Sequence, residues 1–194
     1  MLSERKIISQ EPTPYATQQD FCRIFATDMN RLYLLSFLLT GNHRSAERCF
    51  VRGLEDSAKG PVFKQWAESW ARRTIIRNAI QAIRPRPLDR NTTRMGDGVT
   101  EPARIAAVLE LPAFDRFVFV MAVLEGYSDQ ECSLFLDCAR EEIVAARTRA
   151  LQQVASADQI LPMRVGIGSN EPRVREDQGR VGQSPVALAA AISA

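Results

Sequence analysis

Apolar residues return along the first part of the chain at close to the helical repeat. Between residues 17 and 40, Phe21, Ile24, Phe25, Leu32, Leu35 and Leu39 fall on one side of a helical wheel, which predicts an amphipathic helix. It closes at Thr40, Gly41 and Asn42, where glycine can take the left-handed conformation that ends a helix. A second helix is predicted from Ser45 to about Asp56, with Ala46, Cys49, Phe50 and Leu54 inward; Lys59, Gly60 and Pro61 break it. A third, longer helix is predicted over 62–84, carrying Phe63, Trp66, Trp70, Ile76, Ile80 and Ile83. It ends at RPRP, because a residue before proline is pushed away from helical geometry. The first 16 residues are polar, contain Pro12 and Pro14, and are expected to fray.

Residues 85–102 break this pattern: they are rich in Pro, Gly, Thr and Asn, almost without large apolar side chains, and read as an interdomain linker. Periodicity resumes with a short helix over about 103–110, stopped by Leu111 and Pro112, and a stronger one with Phe114, Phe117, Val118, Met121 and Leu124 on one face. Then VLEGYSDQECSLFLDCAREEIVAARTRAL, residues 123–151, reads as two helices joined by a tight turn. Ser128 is a good N-cap and Glu131, three residues on, completes a capping box. Cys132, Phe135 and Leu136 then face inward, DCA at 137–139 makes the turn, and Ile143, Ala146, Ala150 and Val154 line the next helix. The tail, 157–194, has no period and many breakers and is expected to be disordered; its apolar end, VALAAAISA, is too short to span a bilayer. No internal repeat and no sustained alternation appear. The expected fold class is all-α, with two small helical domains, 17–84 and 103–156, on a flexible joint.

Composition narrows the function classes. With 45% hydrophobic and 25% charged residues, the 194-residue chain has the makeup of a soluble globular protein. No apolar run reaches the ~18–20 residues of a membrane span. The start, MLSERKIISQEPTPY, has no apolar signal core, so cytoplasm is the expected location and no membrane partner is expected. Cys22, Cys49, Cys132 and Cys138 lack metal or dithiol spacing and sit among apolar residues; core filler is the leading reading, with a redox sensor or disulfide as alternatives. His43 falls in an expected turn beside Gly41 and Asn42, with no partner set for metal or acid–base work. No nucleotide loop, metal-ligand set or nucleophile–base pair is visible, so neither cofactor nor metal is expected, and a binding module is favoured over an enzyme.

Net charge is only +2, but its distribution is uneven. Lys64, Arg72, Arg73, Arg77, Arg84, Arg86, Arg90 and Arg94 face only Glu68 and Asp89 over the same span. Such a stripe is either a polyanion footprint or a solvated helix face followed by a basic linker. The helix pair at 123–151 poses a similar choice between a DNA-reading helix-turn-helix and plain packing. In the former, Arg140, Glu141 and Glu142 would approach base edges, arginine suiting guanine and glutamate a cytosine amino group, although two acids also repel phosphate.

The second helical segment resembles region 4 of bacterial RNA polymerase sigma factors of the extracytoplasmic-function type. Leu111, Pro112, Arg116, Gly126, Ser128, Glu131, Leu136, Ile143, Arg149 and Ala150 fall in that pattern. The first segment is similar to region 2 of the same family through Tyr33, Leu39, Thr40, Gly41, Ala46, Glu47, Arg77 and Asn78. Together the resemblances cover roughly residues 18–155, in the family's order. They imply a transcription initiation protein whose partners are core RNA polymerase, promoter DNA as duplex and as melted strand, and an anti-sigma factor. Region 2 would grip the downstream element with Lys64, Trp66, Trp70, Arg72, Arg73, Arg77 and Asn78, supplying cations for phosphate and rings for bases. The alternative for the two tryptophans is that one or both anchor the core. Region 4 would read the upstream element with Ser128, Arg140, Glu141, Glu142, Arg147 and Arg149.

The resemblance also assigns polymerase docking to Glu47, Arg48, Val51, Arg52 and Glu55, yet Arg48, Val51 and Arg52 stand where acid, glutamine and acid are usual. Other departures are Asp137 for the usual turn glycine, Ser133 for an alanine, Ala146 and Arg147 for arginine then leucine, and Ala82 for an aspartate. They leave room for a second reading: a divergent sigma-like protein that has lost polymerase binding and works as a regulator or a stand-alone DNA- or protein-binding module.

Overall fold

The computed structural model describes residues 13–87 and 103–160. Among these the fold is all-α: α1 (Gln18–Thr27), α2 (Met29–Thr40), α3 (His43–Ser57), α4 (Ala67–Ile83), α5 (Ala103–Leu109), α6 (Ala113–Phe119), α7 (Asp129–Leu136) and α8 (Arg140–Ile160). No helix among the described residues is long and apolar enough to cross a membrane.

Caps explain most boundaries. Thr17 opens α1 in a capping box with Asp20, whose pKa the backbone and hydroxyl of Thr17 hold below the ordinary carboxylate value. The single helix expected over 17–40 is bent at Asp28 (φ −100°, ψ 23°) into α1 and α2. The Asp28 N–H still bonds the Ile24 carbonyl at 2.9 Å and its own carbonyl accepts from Leu32 at 3.0 Å, so the ladder passes through one off-helix residue and apolar spacing is preserved. Aspartate is a weak helix-interior residue, and a kink that keeps the period is invisible to pattern reading. Asn42 caps α3 by accepting from the Ser45 N–H at 2.8 Å, which makes His43 a helix residue rather than a turn residue. Its ring stacks on Phe37 at 4.4 Å and meets the Tyr33 hydroxyl at 3.0 Å.

The helix expected over 62–84 starts later. The Lys64 N–H bonds the Pro14 carbonyl at 2.9 Å and the Ala16 N–H bonds the Val62 carbonyl at 2.6 Å, so Tyr15 and Phe63 form an isolated antiparallel bridge. Lys64–Trp66 make one tight 3-10 turn before α4 begins at Ala67. Residues 13–16, expected to fray, are held by this pairing; residues 1–12 lie outside the described ones. In the second half, Ser128 and Glu131 form the expected capping box. α8 runs to Ile160, past the expected end at 156, because nothing in 157–160 stops a helix; the rest of the expected tail, 161–194, lies outside the described residues.

Four helices of the first half surround Phe25, Leu32, Leu35, Leu39, Ala71, Ile75 and Ile76, and the same apolar cluster continues without interruption through Val108, Leu111, Phe114, Phe117, Met121, Ile143 and Val154. The halves meet where α2 packs on α5, α6 and the wide π turn Val120–Leu124 that follows α6. The composition break that suggests a joint falls mostly on 88–102, outside the described residues.

At the junction lies Arg116, only 3% exposed. Its guanidinium donates to the carbonyls of Leu109 (3.2 Å), Leu111 (3.5 Å) and Leu39 (3.5 Å). Leu39 lies in the last turn of α2 and Leu109 ends α5, so one cation meets orphan carbonyls at the negative ends of two helices. Gly41 beside it has φ +80°, and a Cβ there would sit 3.1 Å from Arg116 Nη2; the position needs glycine for conformation and for space.

The cysteines divide. Cys49 and Cys132 are buried and desolvation raises each thiol to about 11; Cys138 is half-buried and its pKa is raised for the same reason. Cys22 is exposed, contrary to the core-filler expectation, because α1 turns that side to solvent. At pH 8, iodoacetamide labels Cys22 first, with Cys49 and Cys132 reacting only after denaturation, as peptide mass spectrometry will read. α3 and α4 touch at Gly53, where a Cβ would lie 2.7 Å from Ile75 Cγ1. Gly53→Ala is expected to cost about 1–3 kcal/mol in urea unfolding. Gly60→Ala, in open space, serves as the control.

Candidate nucleic-acid and polymerase interfaces

The 3-10 turn and α4 form the first candidate surface. Tyr15, Phe63 and Trp66 make an exposed aromatic row, with ring centroids 4.8 Å apart for Tyr15–Phe63 and 5.3 Å for Phe63–Trp66; Trp66 is 56% exposed. The β-bridge produces this row, so no local pattern announces it. Lys64 lies in the same turn, its Nζ 4.0 Å from Asp20. Trp70 is the core anchor of the two tryptophans: it packs on the small cluster of Phe21, Val62 and Ala67, with its Nε1 buried and unpartnered. The Arg77 guanidinium covers its ring at 5.7 Å.

Asn78 leaves the candidate set. It is buried, and its amide donates to Asp56 Oδ2 at 3.0 Å and to the Thr74 carbonyl at 3.1 Å, tying α4 to α3. Arg72 and Arg73 are drawn toward the second half. Arg72 stands 4.0 Å from Glu125 and Arg73 lies over the Phe135 ring at 5.0 Å. Between the halves opens a cleft of about 800 Å³ whose walls include Phe63, Trp66, Trp70, Arg72, Arg73 and Tyr127. The π turn sets this wall, since the Glu125 N–H bonds the Val120 carbonyl at 3.0 Å and ends the helix there. Burial raises the Glu125 pKa above its ordinary value, against the pull of Arg72 and Arg31, and also raises that of Tyr127.

The second candidate surface is the α7–α8 pair. Asp137 takes the left-handed conformation (φ 50°, ψ 54°), which aspartate tolerates better than most residues other than glycine. The Ser133 hydroxyl donates to the Cys138 carbonyl at 2.6 Å, so Ser133 and Asp137 together close one turn. Arg140 and Glu141 are exposed at the start of α8, where a reading helix would meet base edges. Glu142 is exposed too, but its carboxylate accepts from the Ala139 N–H at 2.9 Å and serves as a cap. Ser128 is likewise occupied, its hydroxyl and N–H bonded to Glu131 and holding that carboxyl's pKa low.

Arg147 and Arg149 are internal ties rather than free contacts. Arg147 pairs with Asp129 on α7 at 2.5 Å, and Arg149 clasps Asp115 on α6 with two bonds of 3.0 and 2.6 Å. Sequence spacing could not separate them from Arg140, because their partners come from other helices.

The third surface is the outer face of α3. Glu47, Arg48, Val51, Arg52 and Glu55 are all exposed, opposite the buried Ala46, Cys49, Gly53 and Ser57. This face carries mixed charge around an exposed apolar centre, Val51.

No protein-family model matches the chain, and no curated protein or solved structure does.

Two arginines of α8 can be told apart experimentally. Arg149→Ala breaks a two-bond tie to a nearly buried carboxylate and is expected to lower stability by about 1.5–3 kcal/mol. Arg140→Ala is expected to change stability by less than about 0.5 kcal/mol. Chemical denaturation of both variants measures the difference.

Proposed function

We propose that this chain is a divergent sigma-like transcription initiation protein. It acts in the cytoplasm, with a region 2-like half before the segment 85–102 and a region 4-like half after it. The observation that carries the reading is the meeting of open aromatic rings (Phe63, Trp66) with cations (Arg72, Arg73) on the walls of one cleft beside α4. Rings accept unpaired bases by stacking, each contributing ~1–3 kcal/mol, and cations neutralise phosphate. This is the chemistry that holding a melted strand requires. The resemblance at Leu111–Ala150 and Tyr33–Asn78 supplies the second support, and the exposed α3 face supplies a surface for polymerase.

A second reading has its own observation. Arg48 and Arg52 stand exposed where acids would complement a basic partner, and Arg147 and Arg149 are spent inside the fold. A sigma-like regulator that no longer docks on polymerase fits those residues.

The deciding experiment is capture of core RNA polymerase from the protein's own host by the purified full chain, followed by transcription from the promoter of its own gene. Capture with a defined start site is the expected result. Absence of capture at low salt sinks the initiation reading and leaves the regulator. Separately, affinity for melted promoter strand should fall with salt at a log–log slope of ~0.7 per phosphate neutralised.

A further inference from the structure

The cleft beside α4 carries rings and charges of both signs in one space. Phe63 and Trp66 stand nearly perpendicular with centroids 5.3 Å apart, and Tyr15 braces Phe63 at 4.8 Å. From the second half, Tyr127 is held edge-on by Phe135 at 5.6 Å. Each of the lining rings Phe63, Trp66 and Tyr127 is thus fixed by a neighbour before anything binds. A volume of about 800 Å³ is that of a small-molecule site.

The charges narrow the ligand. Arg72 and Glu125 both line the cleft, 4.0 Å apart, and Arg73 follows on α4. Their separation is longer than a direct hydrogen bond, so guanidinium and carboxylate both keep bonding capacity for a third group. The two side chains are only 33% and 20% exposed, which limits screening by salt and water. An anionic group that reaches Arg72 therefore arrives beside the Glu125 carboxylate and is repelled by it. A lone cation meets Arg72 and Arg73 in the same way. A molecule that carries both signs on neighbouring atoms satisfies both walls at once.

We propose that this cleft binds a small aromatic zwitterion: its ring lies among Phe63, Trp66 and Tyr127, its anionic group meets Arg72 and Arg73, and its cationic group meets Glu125. Planar guanidinium groups suit a carboxylate because their donors pair with both oxygens. The aromatic walls supply apolar area and stacking faces for the ring. The site does not depend on strand binding, which is measured separately.

The test is isothermal titration calorimetry of the full chain at pH 7 with three probes that share one ring. L-Tryptophan carries both charges, 3-indolepropionate lacks the amine and tryptamine lacks the acid. Each is titrated into wild type, Trp66→Ala and Glu125→Gln, with circular dichroism confirming helix content. Trp66 is 56% exposed, so removing its ring spares the core.

L-Tryptophan is expected to bind one molecule per chain, and each single-charge probe to bind about tenfold or more weakly, as loss of one charge-assisted bond implies. Trp66→Ala should weaken all three probes. Glu125→Gln should weaken L-tryptophan about tenfold yet tighten 3-indolepropionate, because the repelling carboxylate is gone. A merely structural role for Glu125 would weaken both. Absence of binding by all three probes at millimolar concentration overturns the site. Equal affinity for the three, or binding that neither substitution changes, overturns it as well.

Discussion

A single buried guanidinium joins the two halves of this protein. Arg116 reaches the last turn of α2 and the end of α5 at once, and satisfies carbonyls that each helix leaves unpaired. Arginine suits the task because its donors spread in a planar fork and its charge complements the negative ends of helix dipoles. Burial lowers its pKa from the ordinary value, and its Nε has no partner. The arrangement is therefore held by two helix ends meeting one cation rather than by an ion pair. Gly41 follows from it: the turn after α2 must be left-handed and must leave room for the Arg116 side chain.

Once that junction is set, the rest of the seam follows. The π turn after α6 carries Glu125 and Tyr127 to α4, and α7 brings Phe135 over Arg73. The seam has two characters. Around α2 it is apolar and continuous with the core, whereas beside α4 it is an open cleft closed by one long ion pair and one cation–ring contact. Contacts of the second kind are weak individually and partly solvated, so they can be exchanged for others of the same chemistry at modest cost.

Helical periodicity, caps and breakers in the sequence were enough to place α3, α5, α6, α7 and the end of α2 closely, because each of those signals acts within a few residues. The capping box of Ser128 and Glu131 and the left-handed Gly41 are examples. Where a distant segment intervenes, local reading failed. Pro14 and Ala16 pair with Lys64 and Val62, which delays α4 and turns Phe63 and Trp66 outward. The candidate site shows the same division. Arg140 and the α3 face are where helical spacing puts them. Asn78, Arg147 and Arg149 are chemically suited to DNA but are consumed by Asp56, Asp129 and Asp115.

What this sequence determined by itself is the set of helices, their buried faces and the supply of cations and rings near residues 63–77. Those properties depend on neighbours one or two turns away. Which cations are available, which tryptophan is open and whether the halves meet were decided only in three dimensions. A charged side chain is free or spent according to what reaches it from elsewhere in the chain, and no spacing rule carries that information. Arg116 shows the limit: the sequence places it on a helix, but its work, bonding carbonyls of α2 and α5 together, exists only once those helices have packed.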